Sequence, residues 1–237
     1  MTLAELFEML SYDELQNLSI SAEGNGGIIA SAQPRIVNYL NEALLKLYSR
    51  FVLKENDILV QMFDSVTFYH LIPPFAVTFV PGVGQDNERV RYILDLPDEP
   101  FTGGIIKILS VFNSEDALEL PLNDESERFS VFTPQAHVLQ VPNPIHGRVL
   151  NVRYQQRHDK IQGELDENIW IPDVLLGALT SYIAYKVFSH INTVPSTAKS
   201  QEFMATYEAF CTEVVDRDLV NSSISQSNLR FGRGGWR

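Results

Sequence analysis

The sequence predicts an α+β protein. Its helical body is discontinuous, built from N-terminal helices and a C-terminal helical hairpin, with an antiparallel β domain inserted and an extended C-terminal arm. Three observations predict this layout. Apolar residues recur at three- and four-residue steps before Asp57 and again from 171 to 219. Between them the period drops to two, and Pro, Gly and Asn punctuate short apolar runs. After Val220 neither period survives and the charge changes sign. The expected ranges are 1–56 and 170–220 for the body, 57–169 for the β domain and 221–237 for the arm.

Thr2-x-x-Glu5 is a capping-box pattern, and Leu3, Leu6, Phe7 and Leu10 follow it at helical spacing. Ser11-x-x-Glu14 repeats the signature ahead of Leu15 and Leu18, which predicts that a short helix or turn restarts there. The Gly-rich stretch 21–31 reads as a loop; no strand leads into it and no Lys-Ser/Thr follows, as a phosphate cradle needs. Pro34 opens a long helix with Ile36, Tyr39, Leu40, Ala43, Leu44, Leu47 and Phe51 on its buried face. Strands are then expected at 58–63, 66–71, 75–80, 90–96, 105–112, 129–133, 138–141 and 149–154. Closely spaced short strands of this kind make an antiparallel sandwich or barrel.

From Ile171 the chain reads IPDVLLGALTSYIAYKV, with Pro172 suited to a first helical position. A break is expected over 192–197, around Pro195, and then Phe203, Tyr207, Phe210, Cys211 and Val214 mark a second helix. By periodicity alone this is the core hairpin of any α+β protein. The run 171–187, followed by Phe203-x-x-x-Tyr207-x-x-Phe210, also resembles the closing hairpin of tailed-phage head–tail adaptors, the connector-ring subunits of short-tailed phages. The order helix, β insertion, hairpin and arm is similar across nearly the whole chain. In residues, the likeness is confined to the hairpin and parts of 36–53. The resemblance implies a structural virion protein at the neck, made in the host cytoplasm. Its implied partners are the portal ring, a tail or nozzle protein and copies of itself in a ring, as a dodecamer. DNA would pass through the lumen without specific binding, and no membrane is involved.

Composition fits an ordinary globular chain, with 45% hydrophobic and 20% charged residues. A net charge of −12 argues against general duplex-DNA binding, which needs clustered Lys and Arg. Residues 86–127 carry eleven carboxylates against Arg89, Arg91 and Lys107, a balance of −8. Such a stretch is a solvated face, or else an acidic lumen lining that repels passing phosphates. Cys211, the one cysteine, excludes an internal disulfide and reads as a buried thiol. The acidic, helical N-terminus does not read as a signal peptide. The apolar run 175–188 is short for a bilayer span.

No catalytic, cofactor or metal signature is found: His70, His137, His146, His158 and His190 lack ligand spacing. Gly82 and Gly84 lack the third glycine of a dinucleotide loop. Neighbouring carboxylates such as Asp98-Glu99 and Asp124-Glu125 point to opposite strand faces. The expectation is therefore a protein without catalytic residues or cofactor. The alternative is a small α+β enzyme acting on carbohydrate through acidic residues of the β domain, and a β-domain binding module is a third, weaker reading. In the arm, Leu229, Phe231 and Trp236 sit among Arg230, Arg233 and Arg237 with no acid after Val220. Aromatics and Arg anchor interfaces, and adaptors of the resembled family grip the portal with such arms. Those six residues are the candidate partner-binding set. Three Arg residues give only a weak phosphate term for nucleic acid.

Overall fold

The structure is a computed structural model and describes residues 1–16, 18, 20–21, 27–80, 90–191 and 193–220. The chain is α+β and divides into two units. The first comprises Met1–Ala43, Phe51–Leu53 and the chain from Ile161; the second comprises Leu44–Arg50 and Lys54–Lys160. The second unit thus interrupts the first in sequence.

In the first unit, helix α1 (Leu3–Tyr12) begins where the pattern predicts. The Glu5 amide donates to Thr2 Oγ1 at 3.2 Å and the Thr2 amide to Glu5 Oε2 at 2.8 Å, satisfying two amides the helix leaves unpaired. Leu3, Leu6, Phe7 and Leu10 are buried. The expected restart after Ser11 is a turn, not a second helix: Ser11 is buried inside α1, and the chain turns through 13–16, with the Asp13 amide donating to Met9 O. The start of the chain pairs with a distant segment. The Leu3 amide donates to Glu167 O, the Ala4 amide to Leu165 O and the Ile169 amide to Met1 O.

Helix α2 (Gln33–Arg50) buries Ile36, Leu40, Ala43, Leu44 and Leu47 at one face. Its Asn41 side chain accepts from the Ile161 amide and donates to Ile161 O, both at 3.0 Å. These bonds correct the expected β range of 57–169. Residues 161–169 carry no strand and are held to the helical unit by Asn41 and the N-terminus.

Helices α3 (Leu176–Ile191) and α4 (Val194–Asp216) form the antiparallel hairpin. Pro172 is not at a first helical position but caps a 3-10 turn, Asp173–Leu175, that leads into α3. Ala178, Leu179, Tyr182, Ile183 and Val187 are buried in α3, and Ser200, Tyr207, Cys211 and Val214 form the buried stripe of α4. Tyr182 meets Tyr207 edge-on with centroids 5.3 Å apart, and Phe188 stacks on Phe203 at 5.4 Å. The expected break over 192–197 is shorter than that. Thr193 caps α4 reciprocally with Ser196, and Pro195 lies in the first turn, where a missing N–H costs nothing. Together with the 3-10 turn, Asp173–Ile191 is 19 residues, longer than the 175–188 run. By length and composition it could cross a membrane, but half of its most apolar window is buried, as befits a core helix.

The second unit holds two antiparallel sheets. One has the order β3 (Ile93–Leu94), β1 (Glu55–Gln61), β7 (Val149–Gln156), β4 (Ile105–Asn113). The other has the order β2 (Phe68–His70), β6 (Val138–Gln140), β5 (Phe132–Gln135). One core joins them, with Ile58, Val60, Tyr69, Tyr92, Val111, Leu139, Val152 and Tyr154 buried together. On the opposite face of the first sheet, Arg153 grips its cross-strand partner Asp57 with two bonds, at 2.9 and 3.1 Å.

The expected strand at 75–80 does not form. Pro73 and Pro74 supply no amide donors and fold Pro73–Phe75 into a 3-10 turn; only Ala76 and Val77 touch Ile93. Strand 90–96 shrinks to β3 and strand 66–71 to β2. Strand 129–133 begins only at Phe132, after a turn at 124–130 whose Ser130 hydroxyl donates to Pro121 O.

Two predictions follow from the hairpin. Leu179→Ala or Ile183→Ala should cost about 2–5 kcal/mol in urea unfolding, and Glu202→Ala far less; equal losses would refute the assigned face. A Cβ at Gly177 would lie 2.8 Å from Phe210 Cζ. With Phe210→Ala in place, Gly177→Ala should stabilise by roughly 0.5–1 kcal/mol through helix propensity. In the wild type the ring should cancel or reverse that gain, and identical effects in both backgrounds would rule out the contact.

Candidate functional site

The six residues expected to bind a partner, Leu229, Arg230, Phe231, Arg233, Trp236 and Arg237, lie outside the described residues. So do Gly82, Gly84, Asp86, Glu88 and Arg89. Among the described residues, one concave feature is a cavity of about 420 Å³ in the β unit. That falls within the roughly 300–1,000 Å³ usual for ligand sites.

Its floor comes from the sheets: Met62 just past β1, Leu150 of β7, and Val131 and Val141 beside β5 and β6, all buried. Its rim comes from loops. Leu118, Phe129 and Ile145 line it while remaining 61%, 67% and 47% exposed. Large apolar side chains left in water beside a cavity are unusual for a loop and mark a contact surface.

Backbone geometry puts Leu118 there. Ala117 adopts a left-handed conformation, φ 53°, which costs a non-glycine residue about 1–2 kcal/mol. Asp116 Oδ1 accepts from the Leu118 amide at 3.1 Å and fixes the turn. Across the rim, Arg148 Nε lies 3.4 Å from Glu115 Oε2, tying this loop to the entry of β7. Glu115 is well exposed and Arg148 about a third exposed, so the pair positions more than it stabilises. The Arg128 guanidinium lies 5.6 Å from the Phe129 ring centroid. Carboxylates dominate the lining charge: Asp116, Glu119 and Glu127 face Arg128 and Arg148.

The acidic stretch is thus not uniform in role. Asp124 accepts from the Ser126 hydroxyl and amide, which holds its carboxyl below the usual range and shapes the turn before Phe129. Asp95 borders a second, polar cavity of about 220 Å³ with Asp57, Glu99 and Tyr154. Burial pushes Asp95 up, but bonds from the Thr78 hydroxyl and the Phe101 and Thr78 amides outweigh it, and the net shift is downward. Every one of those bonds ties loops together, so Asp95 is a fastener. Tyr154, buried under the first sheet, is pushed up to about 12, chiefly by desolvation. Tyr92 is raised further by the same burial while its hydroxyl accepts from the His70 amide and donates to His70 O.

The histidines are dispersed. His70 stacks on Phe75, His146 lies edge-on to Phe63, and His158 Nδ1 sits 2.7 Å from Asp159 O. Among the described residues no group of three His, Cys, Asp or Glu could hold a metal ion. Sequence reading missed the cavity itself, though Leu118 and Phe129 inside an acidic loop were a visible signal. No protein-family model matches the chain, and no curated protein sequence matches it either.

Asp95 yields a pH prediction. Its native pKa lies below the unfolded value of about 3.9, so its contribution is present above that pH and is lost as pH falls through the native value. Asp95→Asn should therefore lower the urea midpoint at pH 7, and its deficit against the wild type should shrink as pH falls from 7 to below about 3.9. A deficit of constant size across that range would show the carboxylate charge to be irrelevant.

Proposed function

We propose that the chain is a head-to-tail adaptor of a short-tailed phage. In this role it is a structural subunit of a ring below the portal that joins capsid to tail and leaves a channel for DNA. The packed α3–α4 hairpin carries the reading, because it lies on the residues where the family resemblance is concentrated: Pro172, Ala178, Tyr182, Tyr185, Phe203 and Tyr207. The order of elements supports it as well. A helical unit is interrupted by a β unit, resumes, closes with the hairpin and is followed by a stretch rich in Arg and aromatics.

On this reading the arm residues Leu229, Phe231 and Trp236 fill apolar pockets on the portal, and Arg230, Arg233 and Arg237 meet its carboxylates. A single arm binds weakly because ordering it costs entropy. A ring of arms gains about 10²–10⁴ in avidity from linked sites. Acidic residues of 86–127 are a solvated face on this reading or, where they border the DNA path, discourage phosphate from sticking.

Deleting 228–237 should leave the urea midpoint unchanged and abolish capture by purified, DNA-free portal. Native mass measurement of the wild-type mixture should show a ring of this chain on the portal. Undiminished capture of the truncated protein would remove the arm from the mechanism.

A further inference from the structure

We propose that the cavity of the β unit is the docking site for the C-terminal segment of a second copy of this chain, with Phe231 as the anchor. The floor is apolar and buried, and its rim holds Leu118, Phe129 and Ile145 in water. An aromatic ring entering between them removes all three from solvent, at about 25 cal/mol for each Å² of apolar surface covered.

The rim's charge selects among possible occupants. Asp116, Glu119 and Glu127 outnumber Arg128 and Arg148, and Glu115 already engages Arg148 at 3.4 Å. A complementary occupant therefore carries a large apolar side chain with cations close on either side. This chain has such a segment. Arg230-Phe231-Gly232-Arg233 places Arg immediately before the ring and two residues after it, within a stretch from Asn221 that has no acid. Gly232 adds no side chain that would hold the backbone off the rim.

Reach also suits a neighbour. Phe231 lies 11 residues beyond Val220, a reach of up to roughly 36–40 Å when extended. Groove and segment are different surfaces, so the contact is heterologous and repeats from copy to copy. The left-handed Ala117 fits the same purpose, since its strain holds Leu118 outward at the rim. Docking of this kind keeps the segment on a sister subunit until another partner displaces it. Nothing in it needs a portal, so portal-free protein tests it and a failed portal pull-down leaves it standing.

The experiment titrates a fluorescein-labelled peptide of residues 226–237 with the full-length protein and reads anisotropy. Saturable binding that weakens with salt is expected. Glu119→Lys with Glu127→Lys, both at exposed positions, should weaken it by about tenfold or more. A peptide with Phe231→Ala should not bind. One with Arg230→Glu and Arg233→Glu should fail on the wild type and recover on the doubly reversed protein. Absent binding, or binding indifferent to the rim changes, overturns the proposal. So does cross-linking of a mixed light- and heavy-isotope preparation that joins arm to groove only within single chains; mixed-isotope links support it.

Discussion

Everything in the helical unit depends on one act of closure. The chain leaves α2, builds seven strands among the described residues, and must return to the helices it left. Asn41 takes hold of Ile161 through both its amide and its carbonyl, across 120 positions of sequence. Met1, Leu3 and Ala4 grip 165–169 next, and Glu167 accepts from the Gln162 and Gly163 amides to keep that segment folded. Closing so long a loop costs more entropy than any one of these bonds returns. The cost is bearable because it grows only with the logarithm of loop length. The apolar face buried by α1, α2 and α3 then repays it collectively.

A second constraint is the fate of buried hydroxyls. The Tyr182 hydroxyl donates to Glu42 Oε1 at 2.8 Å, and Lys186 Nζ reaches the same carboxylate at 3.0 Å. Tyr69 and Tyr92 do likewise through backbone, at Phe63 and His70. The Gln155 side chain donates to Tyr48 O. A polar group sealed in without such a partner costs about 1–3 kcal/mol. These residues therefore dictate orientation as well as volume, and fewer alternative packings of the same apolar set survive.

Local patterns were the legible part of the sequence. The Thr2–Glu5 box, the stripe of α2 and both helices of the hairpin depend on neighbours three or four positions apart, and those are visible in a string of letters. What failed depended on more distant pairing. The run 75–80 has strand composition, yet the Phe75, Ala76 and Phe79 amides are used in local turns, and Asp95 draws Thr78 and Phe101 together instead. Residues 161–169 look like the end of a β domain until Asn41 claims them. Pro195 was read as a breaker although a helix starting at Val194 accommodates it. The cavity was least legible of all, because Met62, Leu118, Phe129, Ile145 and Leu150 meet only after two sheets and three loops are assembled.

Cys211 lies on the buried face of α4 with no accessible surface. It is also the only thiol in the chain. A thiol reagent can therefore reach it only when that face of α4 opens, and the labelling rate reports on the opening. The hairpin carries its own clock for that opening, readable in native buffer with a thiol reagent and no mutation. A partner that clamps the hairpin slows that clock; one that grips elsewhere leaves it running at the same rate.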